Sequence, residues 1–403
     1  MNQQYNPFGN TPTGNTPPNA NGYSANPYPN GNMPPQNGAQ PPYGGYTQKQ
    51  NAGRPQGYPP YQGPYQGGYS YSGQMNPEFF QQQNEKMQRQ QIQKKELRRF
   101  GNTVGLAVLA YFLMQVILSS VLMPLGYYDL YQENMIFQSC FNIICISLLS
   151  VAVPFGMMSL VNKSRYANPV VPTQKLPASQ FSLWVGFGML CCIVANFVVS
   201  FGLIPLFKFF GYELKSNETL NPDSVFACVI ALIATAVVPA ICEEFAMRCC
   251  SVQLLRKYGK GFAVLSVSIV FGLLHGNVIQ FVFAFLVGLA LGFVTVKTDN
   301  ILPAILIHAF NNGMSVVADV FSYALSDKAG EIATSVLFVF WTIVGIIATV
   351  ILLVKKQFKA PEREKTRNDT DLSFGQKMFS FFITPGMIIS FIPVSYTHLR
   401  AHE

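Results

Sequence analysis

Eight apolar runs follow one another through the middle of the chain, at roughly 104 to 125, 136 to 160, 181 to 207, 225 to 255, 261 to 276, 278 to 297, 301 to 322 and 333 to 354. In hydrocarbon no water satisfies backbone N–H and C=O groups, so a spanning segment must satisfy them within itself. Helices do this; a lone strand does not. The expected fold is therefore all-α: a polytopic membrane helix bundle of about eight spans, embedded in a lipid bilayer. Composition agrees, since 49% of the 403 residues are hydrophobic and only 11% are charged. That balance excludes a set of soluble domains.

The net charge of +8 does not point to nucleic acid, and no nucleic-acid partner is expected. Lys and Arg lie between the apolar runs, where they orient a membrane protein. One set of loops holds Lys163, Arg165 and Lys175, then Arg256, Lys257 and Lys260, then Lys297, then Lys355, Lys356, Lys359, Arg363, Lys365 and Arg367. The alternate loops hold Asp129 and Glu133, then a mixed Lys208, Glu213, Lys215, Glu218 and Asp223, then Asp327, Lys328 and Glu331. The bias predicts a cytoplasmic N-terminus, with both ends of the eight-span core inside. Eight cysteines sit in or beside apolar runs without zinc-ribbon or disulfide-framework spacing, so they read as small apolar residues.

Around the core, five regions are expected. Residues 1–83 repeat Asn, Gln, Pro, Gly and Tyr, bury too little to offset the entropy of ordering, and read as a disordered tail. No secretory signal opens the chain. Residues 84–100 form a basic juxtamembrane segment, 101–354 the transmembrane core, and 355–377 a basic cytoplasmic segment. Residues 378–403 read as a ninth span cut short, broken by Pro385, Gly386 and Pro393; the final residues resemble translated adaptor sequence, so His398 and His402 carry no expected role.

Chemistry enters where ionisable side chains interrupt the apolar runs. Each costs roughly 2.5 to 3.5 kcal/mol to insert at a helix centre and normally faces protein or a wet cavity. Three patterns hold these groups: Glu243-Glu244-x-x-x-Arg248, Phe271-x-x-x-His275 and His308-x-x-x-Asn312. Residues four apart share a helix face, so Glu244 can reach Arg248, and His308 and Asn312 can point at one spot. Counted from the basic turn 256–260, Glu243 and His275 both lie about 21 to 23 Å along antiparallel helices. His308 counts to only about 13 Å from its own turn, so tilt or a dipping loop must close the gap. Pro239, one turn before Glu243, permits a kink.

A desolvated carboxylate suits a general base, with an imidazole sharing its water. A second imidazole and an amide can donate to the oxyanion that forms when the water attacks a carbonyl. Two imidazoles and a carboxylate are equally a zinc-ligand set, here Glu243, His275 and His308. Simpler readings stand beside these: a buried ion pair for Glu243, Glu244 and Arg248, and interhelical polar contacts for the His and Asn residues. Phe271 reads as packing that walls the site, Asp319 as a surface carboxylate, and Gly288 with Gly292 as a close helix contact.

With the three motifs in order, the segment from about Val225 to Val320 resembles the CPBP family of intramembrane peptidases, the CAAX-prenyl-protease and bacteriocin-processing group also called Abi. The resemblance covers about a quarter of the chain. It implies an intramembrane endopeptidase in which Glu243 and His275 activate water, His308 and Asn312 form the oxyanion site, and Glu244, Arg248 and Phe271 support them. Substrates would be peptides or membrane-associated, lipid-modified proteins, with a bacterial cytoplasmic membrane as the expected location. Members are often labelled metallopeptidases; no cofactor is expected on the metal-free glutamate reading, and Zn2+ is the alternative. A non-enzymatic immunity or scaffold protein is the other class of function. A transporter is disfavoured because the two halves show no evident repeat.

Overall fold

The structure, a computed structural model, describes residues 77–122, 125–163, 171–211, 224–359 and 370–400. Expectations for residues 1–76, Arg165, the charged loop residues 213–223, Arg363 to Arg367 and His402 lie outside these residues. The described residues are helical apart from short connections and one isolated bridge, Thr173 to Asn300.

Helix α1 runs Pro77–Leu122 and α2 Tyr127–Glu133. Then come α3 Met135–Asn162, α4 Ala178–Phe209 and α5 Val225–Tyr258. The chain continues as α6 Lys260–Leu273, α7 Val278–Thr298, α8 Leu302–Ala324, α9 Asp327–Val354, α10 Phe374–Phe382 and α11 Pro385–Arg400. Among the described residues, α1, α3, α4, α5, α7, α8 and α9 are long and apolar enough to cross a membrane, seven in all. The fifth apolar run, 261 to 276, forms the shorter α6, 14 residues or about 21 Å. Val116, Ile117 and Val121 on α1, Phe201 on α4, and Val336, Val339 and Ile343 on α9 are exposed, as suits lipid-facing helices. The chain is a multipass integral membrane protein.

Two boundaries differ from expectation. The basic segment 84–100 and the first apolar run are one 46-residue helix beginning at Pro77, so residues 77–83, expected to be disordered, are helical. Gln, Glu, Lys and Arg are good helix formers, and Leu97 and Phe100 are fully buried, so tertiary contact extends the helix past the apolar run. The apolar residues from 378 onward form two helices, not one span. Ser373 and Gln376 make a capping box at the start of α10, and Pro385 begins α11. The second packs tightly on α1: a Cβ on Gly105 would come within 2.3 Å of the Gly386 carbonyl carbon, and Asn102 Oδ1 accepts from Gly386 N at 2.8 Å.

Side-chain caps start three of the long helices. Ser224 caps α5, Asn277 caps α7 and Ser326 caps α9, each side-chain oxygen accepting a backbone N–H three residues on. The basic loops gather at one end. There Arg256 pairs with Asp299 at 2.5 Å, Lys257 with Glu96, Lys297 donates to the Lys359 carbonyl at 2.7 Å, and Lys377 to the Tyr258 carbonyl at 2.6 Å.

The buried apolar residues form two clusters. One joins α1, α3, α5, α6, α10 and α11, with Ala284 and Val296 of α7, around Phe155, Met247, Phe271 and Phe381. The other joins α4, α7, α8 and α9 around Trp184, Met189, Leu291 and Ile307. The polar residues of α5 and α8 meet where the two clusters adjoin.

Candidate active site

Helix α5 is not uniform. Residues Ile233–Val237 and Phe245–Val252 are wound as π-helix, with Val238–Glu244 as ordinary α-helix between them. Such wide turns recur at functional sites because they re-aim side chains. The first has a visible source in the sequence. Pro239 has no N–H to give the Thr235 carbonyl four residues back, and that carbonyl accepts from Asn312 Nδ2 of α8 at 3.3 Å. Asn312 Oδ1 in turn accepts from Asn311 at 3.2 Å.

Glu244 and Arg248, one turn apart, form the ion pair that their spacing predicts, Oε1 to Nη1 at 3.0 Å, with side chains 0% and 1% exposed. The charges are close but not aligned as a hydrogen bond, and Arg248 Nη1 and Nε find no acceptor among the described residues. Arg248 Nη2 donates instead to the Gly288 carbonyl on α7 at 3.2 Å, and the guanidinium carbon lies 5.1 Å from the centre of the Phe271 ring. A side chain at Gly288 would press on Phe271 and Ser268 at 3.2 Å. The bare glycine lets α6 and α7 close up beneath the arginine.

His308 completes the cluster from α8. Its Nδ1 lies 2.9 Å from Glu244 Oε1, and its Nε2 lies 3.8 Å from Glu243 Oε2. With Glu244 ionised against Arg248, Nδ1 must carry the hydrogen of that bond. The Nε2 to Glu243 separation is too long for a direct hydrogen bond and short enough for one bridging water. Glu243 is 22% exposed as a side chain, yet its Oε2 is buried and accepts no hydrogen bond from the described residues.

His275 joins through Phe271. Its Nδ1 lies 2.9 Å from the Phe271 carbonyl, and its ring stands edge-on to Phe271 at 4.9 Å, while His308 stands edge-on to the same ring at 5.9 Å. The turn beginning at Leu274 is also held from α1, where the Tyr111 hydroxyl donates to the Leu274 carbonyl at 3.1 Å. Neither Tyr111 nor Thr235 is named by the motifs. The phenol inside an apolar run was the available signal for Tyr111, and Pro239 four residues on was the signal for the Thr235 carbonyl.

His308 reaches the two glutamates although the residue counts from their turns differ. The Arg256 to Asp299 pair sets the α7–α8 turn level with Arg256, and the strand-like pairing of Gln174 and Pro172 with Asp299 and Ile301 holds it there. The π-wound residues after Glu244 place more residues in each turn and so advance less per residue. For a metal the donors fall short, because among the described residues no group of three or more His, Cys, Asp or Glu is placed to hold one. We derive no step through zinc.

Residues 225–314 match the family model described as Type II CAAX prenyl endopeptidase Rce1-like. The match takes in α5 through the first half of α8, and with them every residue of the three motifs. It is consistent with a CPBP-family intramembrane peptidase and supports a membrane-embedded peptidase, acting on peptide substrates in a bilayer, at the level of the family. No curated protein and no solved structure matches the chain.

Proposed function

We propose that the chain is an intramembrane endopeptidase that hydrolyses peptide bonds of membrane-associated or lipid-modified proteins, with Glu243 as the base. The observation that carries this reading is the chain Arg248, Glu244, His308, which ends with Nε2 facing an unpartnered oxygen of Glu243 across 3.8 Å. Arg248 balances Glu244, and Glu244 orients His308. They are positioning residues.

With His308 neutral, two carboxylates and one guanidinium leave the buried cluster with one surplus negative charge. In the oxyanion role Nε2 carries a proton as well as Nδ1, and the charge of that imidazolium offsets the second carboxylate. That imidazolium donates toward the same space that the Glu243 carboxylate faces. Glu243, assisted by His275, takes a proton from water as its oxygen bonds to the scissile carbonyl carbon. The negative charge that develops on the carbonyl oxygen is met by His308 Nε2–H and the Asn312 amide. When the tetrahedral intermediate collapses, the C–N bond breaks, the proton held by Glu243 passes to the departing amine, and a carboxylate product remains. Phe271 walls the site against water from below.

The basic end of the bundle faces the cytoplasm in this reading, and the host membrane is bacterial. The core is 101–354, with catalysis in 225–320 and the flanking basic segments outside it. The test is cleavage of a membrane-anchored peptide by the purified full chain in detergent. Glu243→Gln is expected to lower turnover by roughly 10²- to 10⁴-fold while the unfolding midpoint stays put, and wild-type cleavage is expected to persist under strong chelation. Undiminished turnover in the variant would overturn the assignment of the base. Activity lost to chelator and restored by Zn2+ would overturn the metal-free mechanism.

A further inference from the structure

Helix α6 ends about 21 Å from its start, short of the roughly 30 Å that hydrocarbon spans. The last carbonyls of a helix have no N–H four residues on to accept from, and hydrocarbon holds no water to replace it. For Leu274 that N–H belongs to Val278, which instead opens α7. The donor comes from α1, where the Tyr111 hydroxyl lies 3.1 Å from the Leu274 carbonyl oxygen, 163 positions away in the chain. The depths agree: Tyr111 lies about 18 Å along α1 from Arg99, close to the length of α6. Tyr111 also stands on a fixed base. Val104, Ala107, Val108 and Phe112, three or four residues apart on α1, are buried, and Gly101 leaves no room for a Cβ against the Phe381 carbonyl of α10.

Beyond the gripped carbonyl comes His275. Its backbone N–H donates to the Gly272 carbonyl at 3.1 Å, and its own carbonyl accepts from Asn277 N at 2.9 Å around Gly276. Its Nδ1 lies 2.9 Å from the Phe271 carbonyl. A carbonyl only accepts, so Nδ1 carries the hydrogen and the neutral ring keeps its lone pair on Nε2. The peptide plane between Leu274 and His275 therefore sets where that lone pair lies. We propose that Tyr111 is a positioning residue of the peptidase, whose hydroxyl fixes this peptide plane and with it the place of His275 Nε2 beside the attacking water. The inference rests on the reading of His275 as the partner of Glu243 in activating water. It gives a part in the site to α1, which lies outside the matched residues 225–314.

The experiment compares wild type, Tyr111→Phe, His275→Gln and the double variant, each a purified full chain cleaving a membrane-anchored peptide in detergent. His275→Gln is expected to lower kcat by roughly 10²-fold or more. Tyr111→Phe removes only the hydroxyl oxygen, and is expected to lower kcat by roughly 10-fold while KM stays within about twofold. Its thermal midpoint should fall by no more than about 4 °C. In the His275→Gln background the same change should cost less than about twofold, because residues acting as one unit are not additive. Amide deuterium uptake over residues 274–277 of the substrate-free protein should rise in Tyr111→Phe, since the turn has lost its tether. Unchanged kcat or unchanged uptake in Tyr111→Phe, or a loss as large in the His275→Gln background as in the wild type, would overturn the role of Tyr111 and leave that of His275 standing. Unchanged kcat in His275→Gln would overturn the water-activating role of His275, and the proposal for Tyr111 with it.

Discussion

A guanidinium held at 1% exposure beside a carboxylate at 0% cannot be deleted without stranding its partner. Arg248→Met keeps the volume but leaves Glu244 buried and uncompensated, a change that costs about 3 to 5 kcal/mol. The expected outcome is a large drop in the denaturation midpoint of purified protein, with activity lost through unfolding. Glu243 differs, since it is partly exposed and its Oε2 accepts no hydrogen bond from the described residues; its removal should be felt in turnover and hardly in stability. These neighbours in sequence are thus separable by two measurements. The pairing of Glu244 with Arg248 was legible in the spacing of four. The hydrogen bond from His308 to Glu244 was not, because it joins residues 64 positions apart on helices whose depths, counted from their turns, did not agree.

At the scale of the helix, α5 departs from regular winding on both sides of its carboxylates. Pro239 was visible as a place where the helix could bend. That its missing N–H would leave the Thr235 carbonyl for Asn312 depended on where α8 lay. Pro239→Ala supplies the absent donor and lets the helix reclaim that carbonyl. Turnover on a membrane-anchored peptide should fall as Asn312 loses its anchor, while the thermal midpoint holds or rises. A midpoint that drops sharply would mean that the proline serves packing instead. Helix α6 shows the opposite relation of sequence to structure. Its run from 261 to 276 read as a span, yet the helix ends at Leu273 and gives way to a turn in which Gly276 takes a positive φ of 70°. Leu274, His275 and Gly276 thus leave the helix, and the imidazole belongs to the loop that Tyr111 holds.

Across the whole molecule, the lysines and arginines of separate loops converge on one end through contacts with Glu96, Asp299 and backbone carbonyls. If that end is cytoplasmic, a reporter that fluoresces only in the cytoplasm will be bright when joined after Lys359 and dark when joined after Leu325. The reverse pattern would invert the proposed topology. The all-helical class, the number of apolar runs and the three motifs were determined by the sequence alone, because hydrocarbon leaves the backbone few ways to satisfy itself and makes every buried charge conspicuous. The meeting of α5 with α8 between two apolar clusters, the ending of α6 at Leu273, the docking of α11 on Gly105 and the identity of the partner for each nitrogen of His308 were decided only in the tertiary structure. Those features depend on helix tilt, winding and close approach, and van der Waals contact between segments far apart in the chain leaves no periodic trace in either segment.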